Sequence, residues 1–361
     1  MRILVLNAGS SSIKLRLLEA NDSVVLSQDL DTEGLRGQAT LEQVLGDSEF
    51  EAVGHRVVHG GSLFSSAVVV TDEIREQIAS LAELAPLHQA AALDGIDRAR
   101  KMFPNLPHVA CFDTAFHSNM PAAASTYALP LRWRESLGVR RYGFHGLSHA
   151  YASRRAAEMI GRPLDSLRIV TCHLGAGASL AAVADARSVD TTMGFTPLEG
   201  LVMATRSGSI DPSVPMWLQE RGLTLAEVRE GLERHSGLTG LAGTPDMGEV
   251  LERATEGNAD AALARDVYVH ALQGGVARMS ASMRGIDVLA FTGGVGEHSS
   301  EIRSKAAAGL GFLGVRLDEP RNRQAKGDTD ISAPGASVRA VMIMAREDLQ
   351  IAREIRALLR G

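Results

Sequence analysis

The sequence predicts an α/β protein built from two similar halves, and three observations lead to that fold class. The chain has 361 residues, a length that accommodates about two domains. Apolar runs with strand character alternate with segments of helical periodicity. A unit of strand, glycine turn and strand occurs twice, at 3–18 and at 167–184. We interpret this repeated unit as an internal duplication of architecture.

The elements of the first half follow from apolar runs and turn residues. Runs at 3–6 and 13–18 flank a turn, and no helical period follows the glycine, so a β-hairpin is predicted there. Further strands are predicted at 52–58 and 107–112. A helical stretch at 72–102 is predicted to break near Pro86. Residues 20–50 are polar and only weakly periodic.

The second half shows the same alternation with longer helices. A second hairpin is predicted from strands at 167–173 and 179–184 around a glycine turn. Later strands are expected at 286–291 and 338–344. Helices are predicted at 148–160, 212–220, 224–233, 261–284 and 346–359, with Asp260 as the N-cap of the fourth.

The composition excludes several classes of protein. Apolar residues make up 45% and charged residues 22% of the chain, which argues against disorder and coiled coils. The net charge of −6 lacks the basic footprint of a nucleic-acid-binding protein. Cys111 and Cys172 lie in apolar segments, so we expect buried, inert thiols in a reducing compartment. Without a signal-peptide pattern or a run of about 18 apolar residues, a soluble, cytoplasmic protein is expected.

Three glycine-rich turns follow apolar strands. They are NAGSSS at 7–12, HLGAGA at 173–178 and GGVG at 293–296. Each alone is typical of an ordinary turn, but three in one chain indicate a phosphate site, because glycine lets backbone N–H groups approach an anion. None matches a P-loop, and none is a GxGxxG opening a helix, so neither a P-loop enzyme nor a Rossmann dehydrogenase is predicted.

Several charged residues lie where a ligand would be held. Arg56 and Arg206 are flanked by small, loop-forming residues and suit a carboxylate or phosphate, with a structural salt bridge as the alternative. Asp113 follows a predicted buried strand, where it either contacts ligand or caps the next segment. Glu347 and Asp348 begin the last helix, where acids also favour the helix dipole.

The histidines do not predict a zinc site. His55 and His59 are four residues apart but lie in a predicted strand, so they do not share a helix face. His145 and His149 straddle a glycine turn and a helix start, and no Cys or Glu nearby completes a tetrahedral set. A helix-entry or anion-contact role is the better hypothesis for that pair.

Seven motifs, taken together and in this order, are specific enough to indicate a protein family. In order they are NAGSSS, HRVVHGG, FDTAFH, RYGFHGLSH, HLGAG, MGFTPLEGL and GGVGE. The series resembles the family of acetate, propionate and butyrate kinases, from residue 1 to about residue 358, although the chain is short around 20–50.

The resemblance implies a fold, a reaction and partners. The fold is that of the actin, sugar kinase and Hsp70 superfamily: a two-lobed, actin-like (ribonuclease H-like) ATPase fold with duplicated mixed β-sheets, flanking helices and a central cleft. The first lobe would comprise 1–117 plus 349–361, and the second, on the nucleotide and dimer side, 118–348. The reaction would be reversible transfer of phosphate from ATP to acetate with Mg²⁺, or alternatively Mn²⁺. A homodimer without nucleic-acid or membrane partners is implied.

The resemblance also implies roles for individual residues of this chain. The resemblance implies catalytic roles for Arg56, Asp113, His145 and Arg206. The carboxylate and methyl of the acid would contact Arg56, Val58, Leu87, Phe144 and Pro197, residue types expected for acetate. Nucleotide and phosphate contacts would come from Asn7, Ser10, Ser12, Lys14, His173, Gly175, Gly177, Asp246, Met247, Gly294, Val295 and Gly296. Asn7 and Glu347 would hold the metal with the help of Asp113, and His88 is a further active-site histidine.

Four departures from the family pattern leave alternatives open. Ala176 replaces an asparagine, Ser209 an aspartate, and Gln89-Ala90 an Asn-Pro pair. Gly248 replaces an arginine that packs on the adenine base. Another nucleotide or pyrophosphate as donor therefore stays open, as do propionate and butyrate as acceptors. A non-catalytic, nucleotide-binding sensor on the same fold is the alternative from another class.

Overall fold

The chain divides into two compact units in the computed structural model. The structure describes residues 1–8, 12–31, 44–46 and 48–360. The first unit contains Met1–Ser118, Phe144–Tyr151 and Arg346–Gly361, and the second contains Asn119–Gly143 and Ala152–Ala345.

The division into lobes at 1–117 plus 349–361 and at 118–348 stays a prediction. The segments 144–151 and 346–348 cluster with the first unit. The backbone N–H of Gly146 donates to the carbonyl of Asp113 over 2.9 Å, which joins the first segment to the end of a strand. The carboxylate of Glu347 accepts a hydrogen bond from Asn7 over 3.0 Å, which joins the second. The assignment of nucleotide binding and dimer formation to the second lobe stays a prediction.

The first unit is built on a mixed sheet of six strands. The strands are β1 (Ile3–Ala8), β2 (Ser12–Leu18), β3 (Val24–Asp31), β4 (Ala52–Val57), β5 (Val68–Val69) and β6 (His108–Phe112). Their order is β3-β2-β1-β4-β6-β5. β4 pairs parallel with both β1 and β6, and the remaining pairs are antiparallel.

The second unit is built on another mixed sheet of six strands. The strands are β7 (Ile169–Leu174), β8 (Ala178–Ala184), β9 (Arg187–Thr191), β10 (Val288–Thr292), β11 (Thr329–Asp330) and β12 (Arg339–Met342). Their order is β11-β12-β10-β7-β8-β9. β10 pairs parallel with both β7 and β12, and the remaining pairs are antiparallel.

The two sheets share one topology. Each starts with a three-stranded antiparallel meander, β1–β3 or β7–β9, and adds two parallel strands beside the first strand of the meander. A two-residue strand, β5 or β11, pairs antiparallel at the far edge. This repeat confirms the predicted duplication of mixed, helix-flanked sheets.

The described helices lie between and after these strands. They are α1 (Asp72–Ser80), α2 (Pro86–Met102), α3 (Ala122–Ser125), α4 (Leu131–Ser136), α5 (Gly146–Ile160), α6 (Ser213–Glu220), α7 (Leu225–Arg234), α8 (Gly237–Ala242), α9 (Met247–Thr255), α10 (Ala259–Ser282), α11 (Gly293–His298), α12 (Ser300–Ala308), α13 (Glu319–Gln324) and α14 (Glu347–Arg360). Among them, none combines the length and the apolar character needed to cross a membrane.

Two predictions about local structure are wrong, and one strand was not predicted. The glycines at 293–296 form the start of α11 rather than a turn. α10 is capped by Asn258, whose side chain accepts from the N–H of Ala261 over 2.9 Å, and Asp260 lies inside the first turn. The weakly periodic stretch after residue 20 contains β3. This strand lies at a sheet edge with mostly exposed side chains, so it lacks an alternating apolar pattern.

The packing of α14 on the first sheet positions the start of that helix. Ile3 and Val5 of β1 lie in one buried cluster with Ile351 and Ile355 of α14. A Cβ at Gly54 would lie only 2.5 Å from Cδ1 of Ile355, so glycine in β4 lets the helix approach the sheet closely. The N-terminus of α14 is therefore held at a defined place in the first unit.

Two stacked histidines are buried in the same unit. Nε2 of His108 lies 3.1 Å from the carbonyl of Phe103 and Nδ1 lies 3.0 Å from Nε2 of His55. Because a carbonyl only accepts, a neutral His108 donates through Nε2 and accepts from His55 at Nδ1. Burial, with the neighbouring His108 and Arg100, lowers the pKa of His55 from 6.5 to about 3, and burial also lowers that of His108.

The neutral His55 makes unfolding pH-dependent. Below pH 6.5 the unfolded chain binds a proton that the native state takes up only near pH 3, so this stability is present above pH 6.5 and is lost as the pH falls. We expect a loss of about 1.4 kcal/mol per pH unit from this group. Denaturant unfolding at pH 7.5 and 5.5 should show a shallower pH dependence for His55→Gln than for wild type. His270→Gln, at an exposed position of α10, is the matched control, and equal slopes for His55→Gln and wild type would contradict the assignment.

Candidate active site

Polar side chains meet at one edge of the first sheet. Asn7 lies near the end of β1, Arg56 near the end of β4, and Asp113 directly after β6. Because these strands are parallel, their carboxyl ends share an edge, where open α/β sheets bind ligands. Glu347, the first residue of α14, joins this group.

The four side chains form one hydrogen-bonded chain. Arg56 donates to the carboxylate of Asp113 from Nη2 over 2.7 Å and from Nε over 3.1–3.2 Å. Its Nη1 donates to Oδ1 of Asn7 over 3.2 Å and lies 3.8 Å from Oε2 of Glu347. Asn7 in turn donates through Nδ2 to the same Oε2 over 3.0 Å. Charge-assisted contacts of this kind fix the orientation of a guanidinium.

At this edge, burial and neighbouring charges shift the pKa values of Asp113 and Arg56 in opposite directions. Burial raises the pKa of the Asp113 carboxyl, whose side chain is 1% exposed, while Arg56 acts to lower it. Burial acts to lower the pKa of Arg56, but the charges of Asp113 and Glu347 outweigh it and the pKa is raised. Arg56 is therefore a permanently charged, pre-oriented cation. Both oxygens of Asp113 accept hydrogen bonds from Arg56, so the main role of this carboxylate is to orient the guanidinium.

The donor chemistry beside Arg56 suits a hard divalent cation. Glu347 contributes a half-buried carboxylate and Asn7 an amide oxygen, both oxygen ligands. Mg²⁺ in phosphoryl-transfer sites is held by one or two protein carboxylates, with water and phosphate oxygens completing the shell. Among the described residues, no group of three or more His, Cys, Asp and Glu side chains forms a closed metal cage. Asn7 and Glu347 thus fit a metal shared with substrate.

His145 lies at the start of α5 with a strained backbone. Its φ of 57° is in the left-handed region, which is uncommon for a residue other than glycine. A Cβ on the next residue, Gly146, would overlap the carbonyl of Asp113, so glycine there brings His145 to the end of β6. Burial lowers the pKa of His117 to about 4, and Nε2 of this neutral ring donates to the carbonyl of Phe144 over 3.1 Å. These contacts hold the backbone on both sides of His145.

The acyl-pocket candidates are apolar but lie in different units. Phe144, in the first unit, is fully buried and packs edge-on against His59, with ring centroids 5.3 Å apart. Val58 precedes that histidine and is half-buried. Pro197 belongs to the second unit.

Two glycine segments meet in the second unit. The turn after β7 is closed by the N–H of Gly175, which donates to the carbonyl of Gly177 over 2.9 Å. Gly293 has a φ of 79°, and a Cβ there would lie 2.9 Å from the carbonyl carbon of Leu174. The predicted phosphate residues at 173–177 and 293–296 are therefore neighbours, with His173 in β7 paired beside the end of β10.

Arg303 holds the carboxyl end of the short, glycine-rich helix α11. Its side chain is 2% exposed. Nη1 donates to the carbonyls of Gly296 and Glu297, each over 2.8 Å, and Nε and Nη2 donate to the side chain and carbonyl of Asn322 over 2.7 and 2.8 Å. Burial lowers the pKa of this arginine. The guanidinium satisfies the carbonyl groups that end α11, which a six-residue helix cannot satisfy itself.

Arg206 contacts a backbone carbonyl, whereas Arg56 contacts a carboxylate. Its Nη1 donates to the carbonyl of Pro197 over 2.6 Å. Burial lowers its pKa, and Glu233 acts in the opposite direction. Among the described carboxylates none lies within ion-pair distance of Arg206, in contrast to Arg56. A partly buried cation without a carboxylate partner attracts an anionic ligand.

Some of the remaining candidates have a described side chain, and others do not. Asp246 is exposed and caps α9 by accepting from the N–H of Glu249 over 3.1 Å, while the side chain of Met247 is buried in the core. Lys14 lies exposed opposite Asn7 in the first hairpin. Ser10 lies outside the described residues, and so do the side chains of Ser12, Leu87 and His88.

Two supporting residues were not predicted. Glu297 accepts through one oxygen from the N–H of Gly293 over 3.0 Å and of Ala345 over 2.8 Å. Its position at the end of GGVGE is a signal that sequence reasoning passed over. Arg303 carries no such signal, because only the fold shows that its side chain lies under α11.

The comparisons with known proteins point to one family. Residues 38–353 match the model of the Acetokinase family. An acetate kinase from Nostoc sp. is 43% identical over 405 aligned positions, covering 100% of both chains. The crystal structure of Porphyromonas gingivalis acetate kinase matches with a TM-score of 0.92 and 36% identity over 99% of both chains. A propionate kinase from Francisella tularensis matches with a TM-score of 0.91 and 35% identity over 98% of both.

A more distant likeness shows the fold alone. A ROK family protein from Streptococcus pneumoniae matches with a TM-score of 0.52 and 12% identity over the full length of both chains. The two mixed sheets of one topology, together with these relatives, define a kinase of the actin-like fold. Within that class, the chain belongs to the Acetokinase family. The predicted fold, family and enzyme class, transfer of phosphate to a carboxylate, are confirmed.

The four contacts of Arg303 predict a large effect of substitution. Lysine keeps the charge but not the fork, so buried carbonyls lose their donors, and we expect Arg303→Lys to lower the free energy of unfolding by about 3 kcal/mol. Denaturant unfolding measures the change. Arg168→Lys in the same unit, which alters a surface pair with Asp287, should cost less than about 1 kcal/mol. Equal losses in the two variants would show that Arg303 has no special role.

Proposed function

We propose that the protein transfers a phosphoryl group between ATP and acetate, giving acetyl phosphate and ADP, in both directions. The observation that carries this proposal is the contrast between two cations. The charge of Arg56 is compensated by Asp113, which also orients the guanidinium, whereas Arg206 is partly buried beside Pro197 with no described carboxylate within ion-pair distance. Such a cation suits the anionic groups of this reaction, a carboxylate and a transferring phosphoryl.

The acetate carboxylate attacks the terminal phosphorus directly in this proposal. It is ionised near pH 7, so a general base is not required. A protein nucleophile is not required either. The two thiols are unsuitable nucleophiles, because burial raises the pKa of Cys111 and of Cys172. Phosphoryl transfer depends mainly on positioning and on charge neutralisation, which arginines and a histidine donor supply.

The chain's residues divide the work as follows. Arg56 binds the carboxylate of the acid and keeps its orientation through Asp113. Arg206 and His145 hold the oxygens of the phosphoryl group as its charge redistributes. The backbone N–H groups of the glycine segments hold the other phosphates. When bound, Mg²⁺ neutralises phosphate charge, and Asn7 with Glu347 would hold it.

Acetate is favoured over longer acids by the residues assigned to the methyl group. Val58, Phe144 and Pro197 are apolar, and Phe144 is held on both sides by His59 and His117. A rigid apolar wall discriminates a methylene group by about 1–3 kcal/mol. Propionate kinase among the structural relatives keeps propionate as an alternative acceptor.

ATP is the proposed donor, and the start of α9 is where another donor would be selected. Gly248 is exposed there and offers no side chain to an adenine base. Adenine binding in this proposal then relies on the backbone near Met247 and on the glycine helix α11. A different nucleoside triphosphate or pyrophosphate is the alternative.

The experiment is a panel of donors and acceptors on the purified protein. Acetate, propionate and butyrate are each combined with ATP, GTP and pyrophosphate in the presence of Mg²⁺, and acyl phosphate is trapped as the hydroxamate. We expect acetate with ATP to be fastest. Activity with one other donor alone would replace ATP in the proposal. A folded protein that binds nucleotide and makes no acyl phosphate would support the non-catalytic sensor instead.

The role of Arg206 predicts a loss that charge alone does not restore. Arg206→Ala should lower kcat about 10³-fold, because a positioned cation on the transferring phosphoryl is lost. Arg206→Lys should recover only a small part, since the bidentate fork is missing. Arg168→Ala, at a surface ion pair of the same unit, is the control. An Arg206→Ala enzyme as active as this control would exclude the proposed mechanism.

We also propose a cytoplasmic homodimer. The second unit exposes large apolar side chains over one short stretch, and such patches mark protein interfaces. They are Ile210, Val214, Met216, Trp217, Leu223 and Leu225. Trp217→Glu should shift the protein from dimer to monomer in sedimentation equilibrium. A wild-type protein that sediments as a single chain would contradict the dimer.

A further inference from the structure

We propose that Glu199 is a positioning residue that fixes Pro197 and Arg206, and that through them it sets the acyl-chain selectivity of the enzyme. The inference rests on the proposed function and extends it to a residue outside the assigned site. Glu199, Tyr127 and Arg141 form the group that we call the loop clamp, and all three lie in the second unit.

The carboxylate of Glu199 is held by both other members of the clamp. The hydroxyl of Tyr127 donates to Oε2 over 2.5 Å, and Nη2 of Arg141 donates to Oε1 over 2.6 Å. Arg141 is 6% exposed, and its Nη1 also donates to the carbonyls of Thr192 and Met193 over 3.1 and 2.9 Å. The clamp thus joins Glu199 to the segment that precedes the loop at 194–199.

The other end of the loop is fixed by the same tyrosine. The N–H of Phe195 donates to the hydroxyl of Tyr127 over 2.9 Å. A Cβ at Gly194 would overlap both Glu199 and that hydroxyl, so glycine is required for the clamp to close. The N–H of Tyr142 donates to the carbonyl of Gly194 over 3.0 Å. One hydroxyl therefore spans the loop from Phe195 to Glu199.

Pro197 lies between these two fixed points. Its carbonyl accepts from Nη1 of Arg206 over 2.6 Å, and its ring is one of the acyl-pocket candidates. A displacement of the loop therefore moves a proposed pocket wall and the carbonyl that orients Arg206 at the same time. A misplacement of about 1 Å at a reacting group can lower a rate by about 10²-fold.

The charges of the clamp account for its rigidity. Glu199 is the carboxylate paired with Arg141, which otherwise contacts backbone carbonyls and the ring of Tyr127, 5.3 Å from its centroid. Removing the charge of the half-buried Glu199 would leave the buried guanidinium of Arg141 uncompensated, so the intact pair favours one position of the loop.

Two mild variants test the inference. Tyr127→Phe removes the bridging hydroxyl without changing the shape of the ring, and Glu199→Gln removes the charge at constant size. Asp287→Asn is the matched control, because it breaks a carboxylate–arginine pair of the same unit: Asp287 directly precedes β10, and its partner Arg168 directly precedes β7. Initial rates with acetate, propionate and ATP give KM and kcat/KM for each protein.

We expect both clamp variants to raise KM for acetate about tenfold and to lower the acetate-to-propionate ratio of kcat/KM at least about threefold. KM for ATP should stay within about twofold of wild type, and Asp287→Asn should match wild type throughout. Loss of folded protein alone would lower every rate equally and leave both KM values and the ratio unchanged.

The outcomes separate the two claims. A wild-type enzyme without activity on any acyl substrate contradicts the proposed function and the inference with it. An active wild type whose clamp variants keep its KM for acetate and its acyl-chain ratio contradicts the inference alone. A shift of KM for ATP as large as that for acetate also overturns it, because the clamp would then act on the whole unit.

Discussion

The burial of guanidinium groups is the constraint on which this site depends. A buried cation must be compensated, and the chain does this in three ways. Arg303 contacts only carbonyl and amide oxygens and serves the fold. Arg56 is compensated by the carboxylate of Asp113, which orients it for a ligand. Arg206 has one carbonyl partner, that of Pro197, and no described carboxylate at ion-pair distance, which is the basis of its proposed role in binding an anion. The partner of each arginine therefore distinguishes support, orientation and binding.

The duplicated sheets carry different chemistry at equivalent edges. At the ends of β1, β4 and β6 the first unit has the side chains of Asn7, Arg56 and Asp113, which offer charge and oxygen ligands. At the ends of β7 and β10 the second unit has glycine segments instead, where few side chains separate the backbone from its surroundings. Side-chain charge suits a carboxylate and a metal, whereas backbone donors suit phosphates. The same topology thus presents two kinds of edge, and the proposed function assigns a different ligand group to each.

The sequence predicted those features that depend on local pattern. Both hairpins follow from apolar runs around turns, and α14 follows from its period and its first-turn acids. Asp113 and Glu347 could be selected because strand ends and helix starts are recognisable positions. Features that depend on distant packing were missed. The first unit takes up 144–151 because Gly146 fits against the carbonyl of Asp113, a contact that no periodicity encodes.

The glycines at 293–296 are a second case in which local sequence does not predict the structure. A run of glycines has low helix propensity, so a turn was the reasonable expectation. Side chains hold both ends of the helix: Glu297, inside the helix, accepts from the N–H of Gly293, and Arg303, outside it, donates to the carbonyls of Gly296 and Glu297. These side-chain hydrogen bonds offset the low propensity. They hold the backbone of a segment with few bulky side chains in place, which suits the proposed phosphate contacts.

The carboxylate of Glu297 extends this support to the end of the second unit. The oxygen that accepts from Gly293 also accepts from the N–H of Ala345, and Asp328 accepts from the N–H of Met344 over 3.0 Å. Two carboxylates therefore fix the last two residues before the chain passes into the first unit. Glu347, the proposed metal ligand, follows two residues later. The backbone that holds the proposed phosphates and the backbone that leads to the proposed metal ligand are thus fixed by one side chain.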